Sequence, residues 1–307
     1  MRLAVADLGT NSTRLLVADV AASGQLTQIE RHTTVTRLGE GVDGSSRLQP
    51  AAIDRVLAAL TSYREIADAA AAEQRIAVAT SAVRDADNGA ELADRVRDET
   101  GFDIRTITGD EEARLTFLGA TAGRAPASAE TLVIDIGGGS TEFVSGHPGE
   151  TPSFHVSTNL GSVRQTERHL AHDPPRHGEL EALADEACRI IVDAVPAEIR
   201  TSVDKLIAVA GTPTSLAAID QKLAPYDPEK VDGYDLELAT AERILAQLAV
   251  LPLERRRAVT GLHPDRAPTI VAGVVILVEA LRLFGVRNVE VSESDILDGA
   301  ALATLIQ

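Results

Sequence analysis

The sequence predicts an α/β protein built from two similar domains. Short apolar segments typical of strands alternate along the chain with longer amphipathic segments typical of helices. The length of 307 residues suits about two domains of ordinary size. A segment with the pattern of strand, glycine turn and strand near the N-terminus also recurs in the second half of the chain. This recurrence favours a repeated domain.

Several segments of the first half have the composition of strands. The first, RLAVAD, enters the turn LGTNS, and the second, TRLLVADV, leaves it. The later ones combine apolar and β-branched residues, which fit a pleated and partly buried surface. In order, the predicted strands are residues 2–7, 13–20, 28–38, 75–83 and 103–109.

Helices are predicted between and after these strands. The longest begins at Pro50, because proline favours the first position of a helix. Its apolar residues share one face, namely Ile53, Leu57, Leu60 and Ile66. The next covers residues 91–100 and ends at Gly101, a typical C-terminal cap. A further helix covers residues 110–122.

The second half begins with a polar loop and then repeats the pattern of the first. Residues 124–130, RAPASAE, form this loop and mark a candidate domain boundary. Residues 131–146 then have the pattern of strand, glycine turn and strand. Four identities share one offset of 128 residues: Asp7, Gly9, Ser12 and Thr13 recur as Asp135, Gly137, Ser140 and Thr141. A duplicated domain explains this offset.

Charge and composition exclude several classes of function. The chain has 29 basic and 46 acidic residues, and its net charge of −17 argues against an extended DNA-binding surface. The single cysteine, Cys188, is predicted to pack within a helix, and the lack of a disulfide partner favours a reducing cytoplasm. The N-terminus lacks a signal-peptide pattern, and the longest apolar run, Ile270–Val278, is too short to span a bilayer. We expect a cytoplasmic protein that binds neither DNA nor membranes.

Common catalytic motifs are absent from the sequence. No glycine is followed by lysine, no histidine is followed by glutamate, and G-x-S-x-G does not occur. These absences argue against a P-loop, a zincin helix and a nucleophile elbow. His169, His172 and His177 lie in a polar segment with two prolines, residues 168–180, which we predict to be a solvated loop rather than a metal site.

The glycine turns are predicted to bind phosphate. Gly137 and Gly139 fit the start of a dinucleotide fingerprint, but Glu142 occupies the third glycine position and a strand follows. A glycine turn between antiparallel strands instead lets backbone N–H groups point at an anion. The predicted phosphate-binding residues are Gly9, Thr10, Asn11 and Ser12 in the first turn and Gly137, Gly138, Gly139, Ser140 and Thr141 in the second.

A third candidate anion site lies in residues 205–219, KLIAVAGTPTSLAAI. A buried strand is predicted to end at Ala210, and Gly211 and Thr212 begin a turn into a helix. This arrangement would direct N–H donors and hydroxyls toward a bound anion. An ordinary capped turn is the alternative, but the two glycine turns favour phosphate binding here as well.

These three motifs resemble the phosphate and nucleotide motifs of the actin, sugar-kinase and heat-shock ATPase superfamily, whose domains are ribonuclease H-like. Further stretches resemble the exopolyphosphatase and guanosine pentaphosphate phosphohydrolase (Ppx/GppA) family in particular. They are TRLGEGV (36–42), ATSAVRDA (79–86), GDEEARLTFLGA (109–120), RAPTIVAG (266–273) and VSESDILDG (291–299). The combination of DIGGGSTE with EEARL is specific, and the resemblance covers essentially the whole chain.

The resemblance implies two actin-like domains with a cleft between them. They would comprise residues 1–122 with a returning segment 296–307, and residues 123–295. It also implies a homodimer that uses Mg²⁺, or Mn²⁺ in its place, to hydrolyse a terminal phosphoanhydride. Longer members add helical domains, so a chain ending at Gln307 resembles the short form. One departure is that the family usually has Arg-Glu-Gly where this chain has residues 297–299, Leu-Asp-Gly, which puts any role of that arginine in question.

A base that activates water is the central requirement of such a hydrolase. Asp110, Glu111 and Glu112 open a helix, where acidic residues also stabilise the helix macrodipole without any catalytic role. The resemblance implies that Glu112 is the base, with Glu111 as the alternative.

Carboxylates beside phosphates require a cation between them. Asp7 and Asp135 end equivalent predicted strands, and with Glu142 they are the predicted oxygen ligands of Mg²⁺. The alternative is that the two aspartates cap tight turns. Arg84 is predicted to contact phosphate, because a guanidinium binds phosphate in a bidentate manner. A surface ion pair is the alternative for Arg84. Weaker arginine candidates are Arg37 and Arg266.

Three functions remain open from the sequence. The first is a phosphohydrolase acting on inorganic polyphosphate, on guanosine pentaphosphate, or on both, since both end in the same anhydride. The second is an ATP-dependent kinase, although no sugar-kinase signature is present. The third is a non-catalytic actin-like nucleotide-binding protein, against which the EEAR stretch and the two glycine turns argue.

Overall fold

The structure is a computed structural model that describes residues 1–124, 130–203 and 205–305. The chain divides into two compact units. Unit 1 comprises residues 1–124 together with the C-terminal segment from Asp295, and unit 2 comprises residues 125–294. Most of the predicted boundary loop, residues 125–129, lies outside the described residues.

Unit 1 contains a mixed sheet with the order β3-β2-β1-β4-β5 in the part of the chain that the structure describes. Strands β1 to β3 form an antiparallel meander, because the turn after β1 reverses the chain, and β4 and β5 continue the sheet parallel to β1. The strands are β1 Arg2–Leu8, β2 Ser12–Val20, β3 Leu26–Val35, β4 Gln74–Ala79 and β5 Asp103–Thr106.

Helices cover both faces of this sheet. Helices α2 and α4 pack their apolar residues, among them Leu60 and Leu92, on one face. Helices α5 and α14 cover the other face. Their backbones nearly touch, since a Cβ atom at Gly299 would lie 1.8 Å from the carbonyl oxygen of Leu115. The helices are α1 Val42–Ser45, α2 Pro50–Ala69, α3 Ser81–Arg84, α4 Gly89–Thr100, α5 Gly109–Thr121 and, at the C-terminal end, α14 Ile296–Ala303.

Unit 2 repeats this sheet in the order β8-β7-β6-β9-β11, with the short strand β10 added beside β11. Strands β6 to β8 are antiparallel neighbours, and β9 and β11 run parallel to β6. The strands are β6 Thr131–Ile136, β7 Thr141–Gly146, β8 Phe154–Thr158, β9 Lys205–Val209, β10 Asp235–Glu237 and β11 Asn288–Val291.

The core of unit 2 lies between its sheet and a layer of helices. The ring of Phe143 stacks on that of Phe284 with centroids 5.9 Å apart. The apolar run predicted at Ile270–Val278 belongs to the buried helix α13. The helices are α6 Ser162–His169, α7 His177–Ala194, α8 Ala197–Ser202, α9 Gly211–Asp220, α10 Pro228–Val231, α11 Leu238–Ala249, α12 Leu253–Arg256 and α13 Ile270–Leu283.

Some element limits predicted from the sequence were wrong. The strand predicted over residues 75–83 ends at Ala79, because its neighbours β1 and β5 provide no pairing partner beyond that residue. The chain then turns into α3, where the amides of Val83 and Arg84 donate to the carbonyl of Thr80. The predicted histidine loop is shorter than expected. His169 ends α6 and His177 begins α7, and each pairs with a glutamate.

Candidate active site

The two glycine turns have the same backbone geometry. In unit 1 the amide of Gly9 donates to the carbonyl of Ser12 at 3.1 Å. In unit 2 the amide of Gly137 donates to the carbonyl of Ser140 at 3.0 Å. Both positions leave little room for a side chain, since an added Cβ atom would lie 2.9 Å from the carbonyl oxygen of Ser12 at Gly9 and 3.1 Å from that of Ser140 at Gly137. The offset seen in the sequence therefore corresponds to a repeated structural element.

The carbonyl groups of the first turn bind the surrounding protein, while its amides remain available. The carbonyl of Asn11 accepts from the amides of Thr36 and Arg37 at 3.1 and 2.9 Å, and that of Thr10 accepts from Gly39 at 2.8 Å. Arg37 adopts a left-handed conformation to do so. Among the described residues, the amides of Thr10 and Asn11 donate no backbone hydrogen bond. Amides left in this way can bind an anion.

The second turn follows the same rule. The carbonyl of Gly137 accepts from the amide of Ser162 at 2.9 Å, and that of Gly138 accepts from Val163 at 2.8 Å. Within the parts of the chain that the structure describes, the amides of Gly138 and Gly139 make no backbone hydrogen bond. The side chains that end this turn, Ser140 and Thr141, are buried. In unit 2 the amides at the start of α6 donate to the carbonyls of the turn, as the amides within residues 36–39 do in unit 1.

The aspartate that precedes each turn has a different partner in the two units. Asp7 lies directly opposite Arg14 across β1 and β2. The Nε and Nη2 atoms of Arg14 both donate to Oδ2 of Asp7, at 3.0 and 2.6 Å. Burial raises the pKa of Asp7, and the charge of Arg14 partly offsets this effect. The other oxygen, Oδ1, is buried and has no hydrogen-bond partner among the residues that the structure describes.

In unit 2 the corresponding pair consists of two carboxylates. Asp135 lies opposite Glu142 across β6 and β7. Asp135 is 6% exposed and Glu142 only 1%. The hydroxyl of Ser157 donates to Oε1 of Glu142 at 2.7 Å. The two buried carboxylates therefore concentrate negative charge on one face of this turn.

The facing carboxylates of Asp135 and Glu142 fit Mg²⁺ or Mn²⁺. Carboxylate oxygens are the ligands that hard cations prefer, and Mg²⁺ is usually held by one or two carboxylates together with water and phosphate oxygens. The described residues contain no group of three or more histidine, cysteine, aspartate or glutamate side chains arranged for a metal. Asp135 and Glu142 are the residues of this turn that could hold such an ion, with water and phosphate oxygens as the remaining ligands.

Glu112 lies in the first turn of α5, which Thr108 caps by accepting a hydrogen bond from the amide of Glu111. The Nη1 atom of Arg84 donates to Oε2 of Glu112 at 2.9 Å and to the carbonyl of Ile107 at 3.1 Å. Glu112 is 7% exposed, and this burial raises its pKa to about 7 despite the opposing charge of Arg84. The negative charge of Asp7 adds to the increase.

The neighbouring acid, Glu111, has a different environment. Its side chain is 39% exposed and pairs with Arg105 at 3.3 Å. Glu112 and Glu111 were alternatives in the sequence, but their environments differ in the structure. Glu112 is buried beside Asp7 and Arg84, whereas the side chain of Glu111 is partly exposed. Arg84 itself binds a carboxylate of its own unit, so a phosphate contact would be made in addition to this ion pair.

The third predicted anion site differs from expectation in its hydroxyl groups. The hydroxyls of Thr214 and Ser215 donate to the carbonyls of Ala210 and Gly211 in their own helix. Nη1 of Arg266 also donates to the carbonyl of Gly211 at 2.6 Å. The buried Thr212 lies against α13, where a Cβ atom at Gly273 would be 2.3 Å from its hydroxyl oxygen. Among these groups, the backbone amides at the start of α9 are the better candidates for anion binding.

Sequence reasoning missed an ionic cluster behind Asp7. Arg14 also donates to Asp295, and Arg31 donates to Asp298 at 2.6 Å. One signal was present in the sequence: the residue after the four matched positions is Arg14 in the first half and Glu142 in the second. Because of that single difference, an arginine faces the aspartate in unit 1 and a glutamate faces it in unit 2.

Comparison with known proteins identifies the family. The sequence model of the Ppx/GppA phosphatase family matches residues 16–305. The chain belongs to the Ppx/GppA phosphatase family. It is 38% identical to exopolyphosphatase 2 of Mycobacterium tuberculosis, and the match covers 98% of each chain.

Solved structures of Ppx/GppA proteins have the same fold. The crystal structure of the Aquifex aeolicus family member is 30% identical, with a TM-score of 0.82 over 100% of this chain and 98% of that one. An exopolyphosphatase from Cytophaga hutchinsonii is 28% identical, with a TM-score of 0.90 over 100% of this chain and 98% of that one. The predicted α/β fold with two actin-like domains is thereby confirmed. Within the described ranges, no helix is long and apolar enough to cross a membrane.

Proposed function

We propose that this Ppx/GppA protein is an exopolyphosphatase that uses Mg²⁺ to release the terminal phosphate of inorganic polyphosphate. The observation that carries the proposal is the buried Glu112, whose pKa of about 7 suits a base that accepts and returns a proton at neutral pH. The name of the Mycobacterium tuberculosis relative, exopolyphosphatase 2, supports the same activity.

Glu112 is proposed to act as the general base. In its ionised form, Oε1 or Oε2 accepts a proton from the attacking water while the water oxygen bonds to the terminal phosphorus. The bridging P–O bond breaks, and its electron pair remains on the end of the shortened chain. Arg84 holds the Glu112 carboxylate at 2.9 Å and favours its ionised form.

The glycine turns are proposed to bind the substrate phosphates. The backbone amides of residues 10, 11, 138 and 139 donate to no backbone acceptor among the described residues, so they can donate to phosphate oxygens instead. Backbone amides donate to phosphate oxygens whatever else the substrate carries. They therefore suit a substrate that consists only of repeating phosphates. The start of α9, at Gly211 and Thr212, is proposed as a further contact of this kind.

Asp135 and Glu142 are proposed to hold the divalent cation, with Asp7 as an additional oxygen ligand. The cation would neutralise charge on the phosphate oxygens during transfer. Two buried carboxylates facing each other in β6 and β7 provide the negative charge that such an ion requires. We propose Mg²⁺ as the ion and Mn²⁺ as its substitute.

Guanosine pentaphosphate is proposed as a second substrate, because it ends in the same anhydride that these amides and carboxylates would contact. We also propose that the protein is cytoplasmic, as its single cysteine indicates, and that it is a homodimer, as the sequence resemblance implies.

Measurement of phosphate release by the full chain tests the proposed activity. Inorganic polyphosphate, guanosine pentaphosphate and ATP are each supplied with Mg²⁺, with Mn²⁺ or with chelator. We expect metal-dependent phosphate release from polyphosphate in the absence of any acceptor molecule. Phosphate transfer that requires a sugar or another acceptor would indicate a kinase. Nucleotide-dependent light scattering without hydrolysis would indicate a non-catalytic polymer.

A further inference from the structure

The ionic cluster behind the first glycine turn connects Asp7 to the C-terminal helix. Arg14 lies between Asp7 on β1 and Asp295 at the N-cap of α14, and Arg31 on β3 pairs with Asp298 in the first turn of α14. All three aspartates are buried. Three carboxyl groups thus face two guanidinium groups, so the cluster contains one acidic group more than it has basic groups.

The hydrogen bonds of Arg14 determine which carboxylate oxygen of Asp7 they leave unbound. An arginine beside a carboxylate usually forms a bidentate pair, with one N–H group on each oxygen. Here Nε and Nη2 both donate to the same oxygen, Oδ2 of Asp7, while Nη1 donates to Asp295. In the described parts of the chain, Oδ1 of Asp7 is the buried carboxylate oxygen that lacks a hydrogen-bond partner.

Asp295 is itself held firmly. Its Oδ1 atom caps α14 by accepting from the amide of Leu297 at 3.0 Å, and its own amide donates to Asp298 at 3.1 Å. Helix α14 cannot shift easily, because a Cβ atom at Gly119 of α5 would lie only 1.9 Å from the carbonyl of Asp295. The position of Asp295 is therefore fixed relative to the helix that carries Glu112.

We propose that Asp295 is a positioning residue: it holds Nη1 of Arg14 so that the guanidinium engages only Oδ2 of Asp7 and leaves Oδ1 to bind a divalent cation or its water. This inference rests on the proposed function, in which the buried Oδ1 atom of Asp7 must be ionised and not already bound by a protein donor. Without the carboxylate of Asp295, Arg14 would relax into the bidentate pair and occupy both oxygens of Asp7.

A matched pair of variants tests this role. Asp295→Asn and Asp298→Asn remove the same charge from the same turn of α14, but only the first contacts Arg14. Mn²⁺ affinity is measured without substrate by electron paramagnetic resonance, and crystal structures of both variants are determined. For Asp295→Asn we expect Mn²⁺ affinity to fall about 10–100-fold, as for other residues that orient metal ligands. We expect Arg14 to be bidentate on Asp7 in that variant only.

Two further variants keep the test decisive. Arg14→Lys cannot form a bidentate pair, so the double variant Arg14→Lys/Asp295→Asn should bind Mn²⁺ more tightly than Asp295→Asn alone. If Asp295→Asn does not fold, Asp295→Ser keeps a side chain that caps α14 and removes the carboxylate. Unchanged Mn²⁺ affinity with Arg14 still on Oδ2 alone would overturn the proposal. Absence of phosphate release by the unmodified protein would overturn the proposed function, whereas the affinities and crystal structures would still decide the role of Asp295.

Discussion

Arg84 donates a hydrogen bond from Nη1 to Oε2 of Glu112 at 2.9 Å, and the same nitrogen contacts the carbonyl of Ile107. The guanidinium thus lies between the end of β5 and the first turn of α5. Burial raises the pKa of Glu112, and Arg84 opposes that effect. Because these two influences compete, Glu112 can exist in both protonation states near neutral pH, as a catalytic base requires.

The pH dependence of activity should report this balance. Glu112 must be ionised to accept a proton, so we expect kcat/KM for polyphosphate to rise with pH through about 7. Arg84→Gln removes the charge that favours the carboxylate, and the rising limb should move to higher pH. Arg105→Gln, which alters only the partner of Glu111, is the control. A rising limb that stays in place in Arg84→Gln would contradict the assignment.

Glu112 should also affect the stability of the protein. Its ionisation, which catalysis requires, should lower the free energy of unfolding. The pKa of Glu112 is higher in the folded protein than its ordinary value of 4.5, so the folded state binds more protons than the unfolded state between about pH 4.5 and 7. The free energy of unfolding therefore falls as pH rises through this window. We expect Glu112→Gln to melt at higher temperature than the unmodified protein at pH 8. The increase should be roughly 2–4 °C for each kcal/mol that the substitution adds to the free energy of unfolding.

The control for stability is Glu111→Gln, which removes an exposed carboxylate from the same turn. Its melting temperature should stay close to that of the unmodified protein at every pH. An equal shift for both variants would mean that the acids act only through the dipole of α5.

The cation should depend on the facing carboxylates of unit 2. Asp135→Asn and Glu142→Gln each remove one anionic ligand, so the Mg²⁺ concentration for half-maximal activity should rise at least about tenfold. Ser157→Ala removes only a hydrogen bond to Glu142 and should have a smaller effect. Full activity in the presence of chelator would eliminate the proposed metal role.

Much of the fold could be predicted from the sequence because its signals are local. The alternation in β1 and β2 and the glycine turn between them depend on neighbouring residues, and the same pattern identified β6 and β7. The end of β4 at Ala79 could not be predicted, since it depends on where the adjacent strands stop.

The candidate site was predictable to a similar degree. The turns and Glu112 were found from motifs, whereas the burial that distinguishes Glu112 from Glu111 depends on how α5 packs. The contact of Arg14 with Asp295 joins residues from opposite ends of the chain. No local pattern encodes such a contact, so it became visible only in the folded unit.

Substrate length provides a prediction based on charge. The net charge of −17 repels a long polyanion, and only local basic groups can offset this repulsion. We expect the enzyme to release the chain between turnovers and to prefer short polyphosphates. Partial digestion of a long polymer should then give a ladder of intermediates on a gel. Full-length polymer remaining beside fully degraded product, with no ladder, would indicate processive digestion and contradict this expectation.

The most direct test of the central claim compares Glu112→Gln with Glu111→Gln in a polyphosphate hydrolysis assay at saturating Mg²⁺. Both variants remove one carboxylate from the first turn of α5 and keep the shape of the side chain. If Glu112 is the base, Glu112→Gln should lower kcat by about 10²–10⁴-fold with substrate binding retained, while Glu111→Gln stays close to the unmodified enzyme. Near-normal turnover in Glu112→Gln, with the loss in Glu111→Gln instead, would contradict the account.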